Sequence, residues 1–307
     1  MAGQREQQWQ LPEPIEGDPL HPVDLPPALK AVLFRRGLQT SADLNALLSD
    51  QPLPAAHEHF PELQAAIERL TTACHDHEAI AICGDYDADG MTSTALLMRA
   101  FAAMGAAPQA AIPSRMADGY GLNPGMVDAL HSAGVRLLVT VDNGVAAHEA
   151  LARAEELNIA VILTDHHTLP ASRPKALALI HPATTPEGSP YAGLAGVGLA
   201  YVLARELAAA MNKPEAIRTA RDLFCIGTVA DMAPLTGANR VLLKDGLKHL
   251  HRSRCAGVQA LQQLAGLGDR PLRADDIGFQ LAPRINAVGR IGEPSLVVDL
   301  LTADDPN

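Results

Sequence analysis

Residues 79–105 read AIAICGDYDADGMTSTALLMRAFAAMG. Ala79 to Cys83 is a short apolar run of strand type. Gly84 to Gly90 is a polar loop carrying three aspartates, and the helix-forming run that follows stops at Gly105. The same outline recurs downstream. Residues 136–141 (RLLVTV) form a strand ending in Asp142-Asn143-Gly144, with a helix over 145–156. Residues 159–164 (IAVILT) form a strand ending in Asp165-His166-His167, and 176–180 one more, ending at His181-Pro182. Strands that alternate with helices, each a near-continuous apolar run, predict an α/β fold: an open, mostly parallel sheet with helices on both faces.

The flanking sequence has a different texture. Residues 1 to about 28 hold six prolines and read as an extended lead-in. Residues 28–49 predict two short helices broken at Gly37, and 60–74 an amphipathic helix. Residues 193–211 predict a glycine-started helix, 221–230 an apolar run ending at Asp231, and the stretch to about Leu267 more helices. The expected organisation is a lead-in over 1–55, a catalytic domain over 56–235, connecting helices over 236–270 and the truncated start of a second domain over 271–307.

With 48% apolar and 19% charged residues the chain can build a core, and no apolar run is long enough to span a bilayer. The start carries no apolar segment of the secretory kind. Four cysteines without a CxxC pair fit free thiols in a reducing, cytoplasmic setting. The net charge of −11 argues against a phosphate-binding surface unless the carboxylates are gathered to hold metal ions, which reverse the local field.

Their positions favour that exception. Asp85, Asp87 and Asp89 follow the first strand, Asp142 the next, and Asp165, His166 and His167 the third. In an open parallel sheet the carboxyl ends of the strands share one edge, where ligands bind. A single strand-end aspartate is commonly a helix N-cap. Three strand ends bearing acid or imidazole groups point instead to divalent cations, because clustered carboxylates repel one another. Oxygen ligands with one or two imidazoles suit Mn²⁺ or Mg²⁺ ahead of Zn²⁺ or Co²⁺. Two such ions can activate water for attack on a phosphoryl group.

GDYDADG (84–90) with TSTALL (92–97), VDNG (141–144), DHH (165–167) and GTVADMAPL (227–235) resembles the four motifs of the DHH phosphoesterase superfamily. SRMADGYGLN (114–123), LAGVGLAYVLA (194–204) and APRINAVGRIG (282–292) bring it nearest to the single-strand-specific exonucleases of that superfamily. The resemblance implies a metal-dependent 5′-to-3′ exonuclease acting on single-stranded DNA in recombination and repair, with a helicase and a single-strand-binding protein as partners. Asp87, Asp89, Asp142, His166 and Asp231 would be metal ligands, with Asp142 bridging. His167 would act on the scissile phosphate, with Asp85 beside the ions. Arg115, Arg284 and Arg290 would hold DNA phosphates. Two other readings stay open: a DHH hydrolase of a cyclic dinucleotide, short oligonucleotide or pyrophosphate, and a catalytically inactive replication scaffold.

The sequence departs from the superfamily pattern at Cys83, where many members have a metal-binding histidine, and at His181, where asparagine is usual. Cys74-His75-Asp76-His77 looks like a ligand cluster but falls at a helix–strand junction. With most of the strand-binding groove expected to lie past residue 307, the chain alone is expected to bind metal but to degrade single strands poorly.

Overall fold

A computed structural model describes residues 10–48, 52–113 and 121–305. The chain separates into two units, Met1–Pro52 and Leu53–Asn307. The first holds helices α1 (Pro27–Arg35) and α2 (Ser41–Leu48). Asp43 Oδ2 accepts from the Thr40 amide while Thr40 Oγ1 accepts from the Asp43 amide, a reciprocal cap at the start of α2.

Among the described residues the second unit is built on five strands, β1 (Ala79–Cys83), β2 (Ala107–Ala111), β3 (Leu137–Val141), β4 (Ala160–Thr164) and β5 (Ala178–Ile180). All pair in parallel, in the order β2-β1-β3-β4-β5. The sheet is the one expected, with an addition. APQAA is short of β-branched residues and contains Pro108, so its sequence does not announce a strand. Pro108 is tolerated because β2 is an edge strand, paired on one side only.

Helices cover both faces. On one lie α3 (Leu63–His75), α4 (Ala88–Met104), α7 (Gly196–Ala210) and α8 (Ala220–Ala230). On the other lie α5 (Pro124–Ser132), which the sequence reading did not single out, and α6 (His148–Glu156). Helix α3 buries Leu63, Ala66, Ile67, Leu70 and Cys74, a 3.6-residue stripe. Helix α4 is buried almost all round in its first half because it lies between the sheet and helices α7 and α8. The apolar run at 221–230 is thus helical, and Asp231 caps its C-terminal end.

Beyond α8 come α9 (Gly237–Gly246) and α10 (Ala256–Leu264). Then the one-turn α11 (Ala274–Asp276) runs through a π-helical segment (Ile277–Leu281) into α12 (Ala282–Ile291), followed by α13 (Pro294–Thr302). Residues 274–302 join the same core: Ile277, Leu281, Ile285, Val297 and Leu301 are buried with the residues of α4, α8 and α10. Arg99 of α4 fastens this segment, donating to the carbonyl of Thr302 and to Asp304.

The strand order sets the position of the site. After β1 the chain enters α4 on one face, and after β3 it enters α6 on the other. A crevice therefore opens between the carboxyl ends of β1 and β3, the switch point at which parallel sheets bind ligands. Cys83 is in register with Thr140, and Val141 with Thr164, so the strands end level. Leu138, fully buried in the middle strand, tests how far the crevice rests on the sheet. Leu138→Ala should lower the unfolding free energy by about 2–5 kcal/mol, read as a reduced urea midpoint with an unchanged slope.

Candidate metal centre

The loop after β1 turns directly into α4. Asp87 is its N-cap, its side chain accepting from the Gly90 amide at 2.9 Å. The cap reading of a strand-end aspartate is therefore correct for Asp87, and it accounts for one carboxylate oxygen. Asp89, in the first turn, faces the start of α7: the Gly196 and Val197 amides donate to its two oxygens at 2.7 and 2.8 Å. A helix N-terminus is a natural partner for a carboxylate. Gly196 permits this approach, since a Cβ there would stand 2.7 Å from Cβ of Asp142.

Asp142 directly follows β3 with φ of +62°, a conformation uncommon for non-glycine residues though more accessible to aspartate than to most. Its amide still bonds to Thr164 O, so the ladder to β4 continues up to the turn. Asn143 holds the neighbouring ends together, donating to Cys83 O and Val141 O at 3.0 Å each. His166 Nε2 lies 2.9 Å from Asp142 Oδ1 and 3.8 Å from Asp89 Oδ2.

Three overlapping groups of donor atoms result, each within 4.8 Å: Asp85-Asp87-Asp142, Asp89-His166-Asp231 and Asp142-His166-His167. The structure thus brings together Asp85, Asp87, Asp89, Asp142, His166, His167 and Asp231. Asp142 and His166 each belong to two of these groups. Asp85 lies within ligand range of Asp87 and Asp142 rather than at a distance from them. Arg115 falls outside the described residues. Arg284 is half-buried, bonded to the Gln280 carbonyl of the preceding turn, and Arg290 is exposed at the end of α12.

Asp89 and Asp142 are each 1% exposed. Burial, and then the charge of Asp142 on Asp89 and of Asp87 and Asp85 on Asp142, push both carboxyls well above the usual range. Asp85 is raised to about 6, chiefly by burial. Asp231 is also raised by burial, with the Asp87 charge adding to it. It sits at the negative end of α8, an unfavourable place for an anion. Hard oxygen donors that repel one another, with an imidazole among them, are a donor set that divalent cations fit and that lacks a counter-charge without them. Among the described residues Cys83 falls in none of these groups, and full burial pushes its thiol up to about 12.

A second, different environment adjoins the first. Asp165 accepts from the Val145 amide, the His167 amide and His167 Nδ1, the last at 2.8 Å. Burial opposes its charge, but these bonds prevail and hold the carboxyl below its usual range. In return the bond to Asp165 raises His167 and commits its Nδ1, so that Nε2 is the ring nitrogen turned to other partners. His181 accepts from the Ala183 amide at Nδ1, so its Nε2 carries the proton and donates to His167 O at 2.8 Å. Burial lowers its pKa, keeping it neutral and structural. Beside His167 opens a cleft of about 880 Å³ lined by Gly121, Asn123, Val145, His148 and Thr168, among others. Sequence reasoning quoted Asp165 without giving it a role, because an orienting hydrogen bond two residues away leaves no spacing signal.

Residues 79–228 match the family model described as "DHH family, N-terminal domain". That segment is a DHH-family domain. The DHH segment contains every acid and imidazole of the centre except Asp231. The chain is 36% identical over 296 residues to the single-stranded-DNA-specific exonuclease RecJ of Salmonella typhimurium, covering 92% of this chain and 51% of the relative. It therefore spans about half the length of the enterobacterial curated relatives it matches. The structure of RecJ in complex with Mn²⁺ from Thermus thermophilus superposes with a TM-score of 0.76 at 34% identity, covering 91% of this chain and 39% of that one. The corresponding Mg²⁺ complex gives 0.65 at 32% identity, over 91% and 36%.

The Asp165–His167 pair has a defined pH signature in the metal-free protein. The stability it lends is complete below the ordinary histidine value of 6.5 and is lost as pH rises through the raised pKa of His167. On the acid side it is present above 3.8 and lost as Asp165 protonates at its lowered pKa. Asp165→Asn should lower the His167 pKa, read by NMR titration of the imidazole, and leave the His181 resonances in their neutral form.

Proposed function

We propose that this chain is the metal-binding part of a single-strand-specific exodeoxyribonuclease that hydrolyses DNA phosphodiesters in the 5′-to-3′ direction, in recombination and repair. The observation that carries the reading is the convergence of five aspartates and two histidines, from four separate segments of sequence, at the switch point of the sheet. The similarity to RecJ over nearly the whole chain supplies the substrate class. No helix among the described residues is long and apolar enough to cross a membrane. Four buried free cysteines fit a reducing compartment, and we place the chain in the cytoplasm. A helicase and a single-strand-binding protein are the partners that the resemblance implies for this role.

Asp89, His166 and Asp231 would hold one divalent cation, Mn²⁺ or Mg²⁺, and Asp85, Asp87 and Asp142 a second; Asp142, 2.9 Å from His166, stands between the two sets. When bound, such cations polarise a phosphoryl oxygen and make water acidic enough to be a nucleophile at neutral pH. Asp142 holds its ligand geometry through a positive-φ turn braced by Asn143. His167, fixed by Asp165 through Nδ1 and raised in pKa, presents Nε2 as a donor to the scissile phosphate or to the leaving oxygen. The cleft beside it, open to the N-terminal ends of α5 and α6, would take the nucleotide next to the scissile bond. Arg115, Arg284 and Arg290 would hold the backbone phosphates; Arg290 follows Asn286 by four residues, on the side of α12 that faces the loop after β1. The proposal divides the chain into a lead-in (1–55), a catalytic domain (56–235), connecting helices (236–270) and a C-terminal segment (271–307) whose helices share the catalytic core.

Removal of the ligand between the two sets tests the centre. Asp142→Ala should abolish Mn²⁺ binding by calorimetry and, with it, release of nucleotides from a 5′-labelled single strand. His167→Ala should retain Mn²⁺ while turnover falls about 10²–10⁴-fold. Cleavage of a dinucleotide or pyrophosphate with none of longer strands would move the substrate to the small phosphate compounds. Absence of Mn²⁺ binding by the unmodified chain would leave the scaffold reading.

A further inference from the structure

The first four backbone amides of a helix such as α4 have no partner within the helix. Asp87 satisfies that of Gly90. The amide of Ala88, the first residue of the helix, donates instead to Asn286 Oδ1 at 2.8 Å, from a helix 198 residues further along the chain. Gly289, one turn beyond Asn286, makes the same contact from another direction. A Cβ at 289 would stand 1.8 Å from Tyr86 O and 3.3 Å from Cε of Met91, so the backbone of α12 lies directly on the peptide that links Asp85 to Asp87. Helix α12 is itself anchored, since its Ile285, and Leu281 just before it, are buried in the main core.

We propose that Asn286 is a positioning residue of the metal centre: by accepting the Ala88 amide while Gly289 seats α12 against Tyr86, it fixes the turn that aims Asp85, Asp87 and Asp89. This rests on the metal-centre reading above and adds a role for the APRINAVGRIG segment separate from phosphate binding by its arginines. The physical reason is the tolerance of such sites. Ligands must be held to about 0.5 Å, and a helix start with an unsatisfied first amide frays toward water. Asp87 cannot brace itself, because its side chain already caps Gly90. Asn286 touches the backbone rather than a carboxylate, so it orients the ligands without competing for the cation.

Amide hydrogen exchange in metal-free protein, together with Mn²⁺ titration, tests this on Asn286→Ala and Asn286→Asp; the aspartate keeps the acceptor oxygen. Exchange at Ala88 should speed up about tenfold in the alanine variant and return toward the original rate in the aspartate variant, while exchange at Leu138 in β3 stays unchanged in both. Outer-shell partners of metal sites typically contribute about 10–100-fold in affinity, so Mn²⁺ should bind Asn286→Ala at least about tenfold more weakly. Unchanged exchange at Ala88 with unchanged Mn²⁺ affinity would overturn the proposal. So would faster exchange at Ala88 and Leu138 alike, which would make Asn286 a residue of general stability. Failure of the unmodified chain to bind Mn²⁺ would sink the metal-centre reading instead, and the exchange rates would still report whether Asn286 holds the loop.

Discussion

Carboxylates removed from water beside one another are the constraint around which this molecule is arranged. Asp85, Asp89 and Asp142 are buried, Asp87 and Asp231 lie against them, and the charge of each makes its neighbours harder to ionise. A fold tolerates such a cluster only when compensation is built around it. Here part of that compensation belongs to the chain itself: the amides of Gly196 and Val197 at the start of α7, and the imidazole of His166 between Asp89 and Asp142. The remainder is the counter-charge that divalent cations would bring.

The parallel sheet supplies the geometry. Because β1 and β3 send their helices to opposite faces, the loops beyond them diverge and leave room for ligands, while the level ends of the strands keep Asp85, Asp142 and His166 on one rim. Two titration regimes then coexist within a few residues. The acid cluster has its carboxyls pushed up by burial and mutual repulsion. Asp165 is pulled down by three hydrogen bonds and pushes His167 up in turn. Environments that drive neighbouring groups apart in this way separate the acid from the ligands in hydrolytic sites. Two residues at the rim adopt positive φ: Asp142 at +62°, and the exposed Met232, directly after Asp231, at +59°.

Several features were open to reading from the chain alone, and the reasons differ. β1, β3 and β4 were legible because strands buried on both faces need continuous apolar runs. The clustering of Asp142 with Asp87 and Asp89 was legible because strand ends in parallel sheets share an edge. β2 was not, since an edge strand half-exposed to solvent can be made of Ala, Pro and Gln. Asp231 was placed by its motif and not by its element: the apolar run before it is a helix, a distinction that a ten-residue apolar segment does not carry. The contrast between Arg284, turned back on Gln280, and Arg290, exposed four residues beyond Asn286, depends on helical phase against a neighbour that only the fold identifies.

What the sequence by itself determined was the alternation of strand and helix, and the residue types at the strand ends. Both follow from local rules: periodicity, capping and the hydrophobicity that burial on two faces demands. Only the tertiary structure decided which groups support the acids. The α7 amides reach Asp89 across 107 residues, and Asn286 reaches the Ala88 amide across 198. Those partners are backbone groups and a small amide, chosen by the packing of helices against a sheet. Such contacts have no period and no spacing, because their distance along the chain is set by topology and not by local chemistry.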